Sequence, residues 1–238
     1  MGNDDWHSWH EAYDDCESDL ARRLAVVRER IARILDAAPP GRITVLSICA
    51  GQGRDLLGAL EGHPRRDDVR ALLVELDPRN AEAAREHAAR IGAGGVEVLV
   101  GDASLTSQYQ AHAPADMVLS CGVFGNLTAQ DIQRTIGHLA ALCRPGGTVV
   151  WTRHRLEPDL VPTLCDWFAE DGFTLEFVTP PGQTAVGVHR YTGQPRRLVP
   201  GARMFTFVGR RVLAERERAA REALDSGREK ALAEPEAG

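Results

Sequence analysis

Between Arg42 and Asp171, short apolar, β-branched runs alternate with stretches of helical periodicity, and this alternation is the strongest constraint on the fold. Arg42–Cys49, Val69–Leu76, Gly95–Val100, Ala115–Cys121 and Gly147–Thr152 read as strands. Arg54–Glu61, Pro78–Ile91, Thr128–Leu142 and Pro158–Asp171 read as helices among them. Strands alternating with helices imply a parallel sheet, because each crossover returns the chain to the same end, with helices on both faces. The rhythm breaks at Phe173–Thr179 and Ala185–Tyr191, two strand-like runs linked through Pro180, Pro181 and Gly182. They read as an antiparallel hairpin ending an otherwise parallel sheet. Arg203–Val208 alternates like another strand or an edge extension.

The flanks differ in character. Ser18 and Asp19 are helix-start residues, and Leu20, Leu24, Val27, Ile31, Ile34 and Leu35 recur at helical spacing until Pro39, Pro40 and Gly41 stop the helix. An aromatic lead-in precedes it. From Arg210 the chain is rich in Ala, Arg and Glu, as an exposed helix or a disordered tail would be. The organisation expected is an N-terminal segment and helix over residues 1–40, one α/β domain over 41–209 and a charged tail over 210–238.

With 238 residues, 43% of them hydrophobic, the chain can bury one substantial core. A net charge of -6 and a pI near 5.8 disfavour a protein whose main task is to grip nucleic acid. The five cysteines are scattered, with no CxxC pair and no zinc-finger spacing, so reduced thiols and no metal are expected. The pair His7 and His10 is a weak metal signal. No apolar run approaches bilayer length and no apolar signal core follows Met1, so a cytoplasmic protein is expected.

The most informative segment is Ile43–Leu57, I-T-V-L-S-I-C-A-G-Q-G-R-D-L-L. A buried strand runs into a glycine turn and straight into a helix, where backbone can approach a ligand and helix-start amides favour an anionic group. A G-x-G turn alone is weak, since many such turns carry glycine for structural reasons. Three later features reinforce it. Glu75, in V-E-L-D-P, lies 22 residues after Gly53 at the end of the second strand and can accept hydrogen bonds from ribose hydroxyls. Asp77, its neighbour, looks instead like the cap of the next helix. Asp102, in G-D-A, can accept from the amine of adenine, and the fourth strand ends in the small-residue loop C-G-V-F-G-N. All these segments stand at carboxyl ends of strands, where open α/β sheets bind ligands.

The series C-A-G-Q-G-R-D, V-E-L-D-P, G-D-A, A-D-M-V-L-S-C-G-V-F-G-N and R-P-G-G-T-V-V-W-T-R-H-R closely resembles the class I S-adenosylmethionine (SAM)-dependent methyltransferases over about residues 42–191, most of all small members common in actinobacteria. The resemblance implies a Rossmann-like seven-stranded, mostly parallel sheet in the order 3-2-1-4-5-7-6, strand 7 antiparallel. It implies SAM as cofactor and S-adenosylhomocysteine as product. By position, Ala50, Gly51, Gly53, Asp55, Glu75, Asp102, Ala103, Cys121 and Gly122 would surround the cofactor. Two positions depart from the family pattern: Ser47 stands where many members have an acidic residue, and Cys49 where they have glycine. Asp55 or the loop carbonyls would then hold the amino group of SAM, and Arg54 or the helix amides its carboxylate.

On the substrate side, Trp6, Trp9, His10 and Tyr13 share a helical face and read either as a lid over the site or as a hydrophobic staple. Arg153, His154 and Arg155 follow the fifth strand; the arginines suit an acidic substrate and His154 a base, or all three are a solvated loop. Phe124 and Asn126 lie where acceptors are often contacted, and His189 reads as structural. His10 and His154 are thus the candidate bases, and no residue stands out further. The function expected is methyl transfer to oxygen or nitrogen of a small molecule, of the kind used in specialised metabolism. The alternatives are an RNA or protein methyltransferase, or a non-catalytic SAM-binding partner protein. An NAD site fits less well, because Leu56 occupies the last glycine position of the dinucleotide fingerprint. The oligomeric state is open, a homodimer through the first helix or the tail being one arrangement.

Overall fold

The computed structural model describes residues 18–215 and 218. Its sheet has seven strands: β1 (Ile43–Ile48), β2 (Val69–Glu75), β3 (Val96–Val100), β4 (Ala115–Ser120), β5 (Cys143–Arg153), β6 (Phe173–Val178) and β7 (Ala185–Tyr191). The order across it is β3-β2-β1-β4-β5-β7-β6, as the family resemblance implied. β1 to β5 pair in parallel, and β7 runs antiparallel to both β5 and β6.

Helices α1 (Asp19–Ala37), α2 (Arg54–Leu60) and α3 (Pro78–Arg90) accompany the first strands, and α4 (Ala129–Leu142) and α5 (Val161–Glu170) the later ones. Alternation along β1 shows why two layers are needed. Ile43 and Val45 enter a core with Val27 and Ile31 of α1 and Leu56 of α2. Leu46 and Ile48 enter another with Ile132 of α4 and Phe168 of α5. Successive strand side chains point to opposite faces, so a strand apolar throughout must be covered on both. Ser18 caps α1, its Oγ accepting from the Ala21 amide at 3.0 Å. Thr128 caps α4 in the same way.

The β5–β7 half holds an aromatic stack of Trp151, Phe168 and His189, in which the Trp151 indole N–H donates to His189 Nδ1 at 3.0 Å. Gly187 is required beside it: a Cβ there would sit 2.2 Å from the Trp151 ring.

Three expectations are corrected. β5 begins directly at Cys143 rather than Gly147, with a register irregularity against β4 between Ala115 and Met117. α5 begins at Val161 rather than Pro158. Arg203–Val208 forms no strand; one bridge joins Arg203 to Leu105. Met204 and Phe205 are buried consecutively, which breaks strand alternation. The backbone of this strap finds other partners: the Met204 amide donates to Ser104 O, the Thr206 amide to the Asp131 carboxylate, and the Val208 amide to Asn126 O. Helical backbone resumes at 210–215, and the rest of the expected tail lies outside the described residues apart from 218. No described helix is long and apolar enough to cross a membrane.

Candidate active site

The turn after β1 is built from unusual backbone. Cys49, Gly51 and Gly53 all have positive φ, at 52°, 57° and 65°. Glycine tolerates this region and Cys49 does so at a cost, so the loop is held by its surroundings. The Ala50 amide donates to Val74 O at 3.0 Å. The Gly51 amide donates to Glu75 Oε2 at 2.8 Å, and the Asp77 amide donates to the other carboxylate oxygen at 2.9 Å. Glu75 therefore stitches the glycine turn to the end of β2. Burial raises its pKa, against the opposing pull of those two N–H groups. Asp77 caps α3 by accepting from the Arg79 amide, with Pro78 following, which separates the two acidic neighbours as the sequence suggested.

The carboxyl ends of β1 to β4 open into a cleft of about 560 Å³, within the range of small-ligand sites. Ala50, Gly51 and Asp55 line it from the first turn, Glu75 from β2, Asp102 and Ala103 from the loop after β3, and Cys121, Gly122 and Asn126 from the loop after β4. Gly53 does not. It starts α2, and a Cβ on it would lie 2.8 Å from Leu73 and 2.9 Å from Leu57, so its role there is close packing.

Three carboxylates thus share one cavity in different states. Asp55 is raised by burial, partly offset by its hydrogen bonds to the Leu56 amide and Cys121 and by the Arg28 charge. Asp102 is desolvated too, but Ser104 donates to it through both N and Oγ and Arg203 lies 3.1 Å away, so its pKa falls below the ordinary value. The half-buried Cys121 thiol is pushed well above the usual range by desolvation and by the neighbouring Asp55, which disfavours the thiolate. Ser47 is buried within β1 and does not line the cleft.

The other sequence candidates fall elsewhere. Phe124 is fully buried, 6.1 Å from Trp151 and 6.3 Å from Phe168. Arg153 is buried and donates to Phe124 O, and Arg155 pairs with Asp159 and donates to Thr179 O. His154 stands over Gly125, outside the cleft lining, with its pKa lowered to about 4 by burial and by Arg153 and Arg210. Trp6, Trp9, His10 and Tyr13 lie outside the described residues.

Several cleft walls were missed. α1 contributes Arg23, Leu24 and Val27, and the strap contributes Arg203 and Phe205–Gly209. Leu76, 69% exposed, and the buried Asn80 complete the rim near Glu75. The helical spacing of Leu24 and Val27 was the available signal for α1; nothing local in Arg203–Gly209 announces a cleft wall.

Residues 45–147 match the family described as a methyltransferase domain. This stretch of the chain is similar to a methyltransferase domain. It contains the glycine turn, Glu75, Asp102 and the loop after β4, and the whole sheet has the fold of class I SAM-dependent methyltransferases. An O-methyltransferase family protein from Burkholderia thailandensis has a similar structure at 20% identity and TM-score 0.55, over 75% of this chain and 61% of that one. This chain thus spans less than two thirds of that protein. Magnesium protoporphyrin IX methyltransferase from Synechocystis, solved with bound SAM, is similar at 15% identity and TM-score 0.58, over 79% and 92% of the two chains. The 1,6-didemethyltoxoflavin-N1-methyltransferase of Burkholderia thailandensis is similar at 19% identity and TM-score 0.54, over 79% and 87%. No curated protein matches the chain.

Proposed function

We propose that the chain is a SAM-dependent methyltransferase acting on oxygen or nitrogen of a small-molecule acceptor. The observation that carries this reading is convergence: Gly51, Glu75, Asp102–Ala103 and Cys121–Gly122, from four separate strand ends, line one cleft inside the stretch that matches a methyltransferase domain. Its chemistry suits each part of SAM. Glu75 offers buried carboxylate acceptors for the ribose hydroxyls, with its geometry preset by the Gly51 and Asp77 amides. Leu76 and Ala103 offer apolar surface for the adenine ring and Asp102 an acceptor for its amine. With Ser47 buried in β1, Asp55 is the carboxylate left to meet the amino group, and Arg54 on the first turn of α2 the cation for the carboxylate.

SAM supplies a methyl group already activated on a sulfonium. The chain's contribution is then alignment and exclusion of water rather than bond-making. The loop after β4 is held rigid for this, with the Gly122 amide donating to Thr152 Oγ1 at 2.8 Å and Asn126 Nδ2 donating to Gly122 O at 2.8 Å. Trp6, Trp9 and Tyr13 stay acceptor-contact candidates on their residue types and spacing alone. The walls formed by α1 and the strap favour a small acceptor over a nucleic acid or protein. The test is turnover of methyl-labelled SAM with a panel of small acceptors, RNA and protein. Label transfer to a small molecule supports the reading. Tight SAM binding without transfer to any acceptor overturns the enzymatic part, and transfer only to a macromolecule overturns the acceptor class.

A further inference from the structure

We propose that Arg203 is a positioning residue of the nucleoside site: reaching in from the strap, it and Ser104 orient the Asp102 carboxylate so that one acceptor position is left for an exocyclic amine. This rests on the reading of the cleft as a SAM site. An ionised carboxylate has about four lone-pair positions and no proton to donate. Asp102 Oδ1 accepts from the Ser104 amide at 3.0 Å and from Ser104 Oγ at 2.6 Å, which fills both of its positions. Oδ2 accepts from the Arg203 guanidinium at 3.1 Å. One position on Oδ2 stays open among the described residues, and Asp102 lines the cleft. The same guanidinium nitrogen donates to Ser104 Oγ at 2.6 Å. Arg203, Ser104 and Asp102 therefore close a ring: the hydroxyl accepts from the arginine and has its proton left for the carboxylate. Desolvation would raise the pKa of Asp102, but the Ser104 and Arg203 donors more than offset it, so the group is an acceptor only at neutral pH.

Arg203 comes to this ring from 101 residues further along the chain, and backbone contacts deliver it there. The Thr106 amide donates to Ala202 O at 3.0 Å, the Ala202 amide to Thr106 Oγ1 at 2.9 Å and the Met204 amide to Ser104 O at 2.8 Å. On the core side of the same loop, the buried Tyr109 hydroxyl donates to Ala103 O at 2.8 Å. Strap and loop thus stay joined when the guanidinium is removed, and what changes is the setting of Asp102. The side chains of Arg203 and Asp102 are 52% and 40% exposed, and an exposed ion pair adds little to stability, so orientation is what the pair contributes. The open position suits an N–H donor. A carbonyl oxygen placed there would bring two acceptors together with no proton between them. The site should therefore distinguish adenine from hypoxanthine, which carries an oxygen where adenine carries its amine.

The experiment is calorimetry on the full chain with S-adenosylhomocysteine and with S-inosylhomocysteine. The wild type should bind the adenosyl compound about tenfold or more tighter. Arg203→Gln should cut that ratio by about threefold or more, and Arg203→Lys should restore part of it. Ser104→Ala opens the other side of the ring and should lower the ratio in the same direction. In an Asp102→Ala background the ratio should be close to one, and adding Arg203→Gln should move neither affinity by more than about twofold, because the arginine acts through the carboxylate. Equal binding of the two compounds by the wild type overturns the proposal. So does a ratio that survives Arg203→Gln. An equal loss of both affinities in Arg203→Gln, or an effect of that substitution that persists without Asp102, would give the arginine a general structural or direct cofactor role and also overturn it. If the wild type does not bind S-adenosylhomocysteine at all, it is the reading of the cleft that fails.

Discussion

The end of the cleft beneath β1, β2 and β3 and the end enclosed by α1 and the strap are assembled in different ways. At the first, most polar groups sit within a few residues of a strand terminus, and they fix one another: Glu75 holds the Gly51 amide, and Asp102 is held by Ser104, with Arg203 reaching it from the strap. At the second, the walls come from opposite ends of the described chain. Arg23 and Leu24 precede the sheet and Phe205–Gly209 follow it. The first end depends on local turn geometry and the second on tertiary packing. On the function proposed, the first end would serve the cofactor and the second the acceptor.

Acidification should expose the contrast most strongly. His189 lies fully buried in the aromatic stack at β5 and β7, beyond the cleft, and burial depresses its pKa from 6.5 to about 4. The unfolded chain takes up this proton first. The stability contributed is present above about pH 6.5, is lost as pH falls toward 4, and loses nothing further below that. The loss should be on the order of 3 kcal/mol from this group, with His154, also lowered to about 4, adding to it. Urea denaturation followed by Trp fluorescence between pH 7 and pH 4 measures it. A flat stability profile would show that the stack is not sealed from water.

Glu75→Ala attacks the cofactor end. Two ribose hydrogen bonds at about 1 kcal/mol each should go, weakening SAM roughly thirtyfold. Unchanged affinity in calorimetry would mean that the ribose contact was assigned to the wrong residue. Asp131→Ala attacks the strap from outside the cleft. Asp131 accepts from the Thr206 amide at 3.0 Å and pairs with Arg134. Its loss should cost about 1–2 kcal/mol of stability and raise the acceptor KM severalfold, with a smaller effect on SAM. An equal loss at both ends would abolish the distinction between them.

The sheet order and most of the strand-end residues that line the cleft were legible because each depends on residues close in sequence. Apolar runs of strand length mark buried strands, and Asp77-Pro78 declares a helix start that leaves Glu75 facing the cleft. The strap was read as a strand or an edge extension because Arg203–Val208 alternates, and only the Arg203–Leu105 bridge forms. Its partners are Ser104, Asp131 and Asn126, side chains and loop backbone that no periodicity can foretell. Phe124 and Arg153 looked like cleft residues by position, yet the packing of Trp151 and Phe168 draws Phe124 inward, and Arg153 follows to its carbonyl. Gly53 was read as a ligand contact, whereas the space it leaves is taken by Leu57 and Leu73.

The smallest effect concerns the departure at Cys49. Its φ of 52° is one that glycine adopts without strain. Cys49→Gly should raise the urea midpoint by the equivalent of about 0.5–1 kcal/mol, strain relief being partly offset by greater freedom of the unfolded chain. A fall in the midpoint would mean that the Cys49 side chain contributes more by packing than its backbone loses by strain.

Calorimetry of the wild-type chain with SAM, and separately with NAD, tests the central claim most directly. The account predicts saturable one-to-one binding of SAM and no binding of NAD at the same concentrations. Saturable binding of NAD with none of SAM would contradict it.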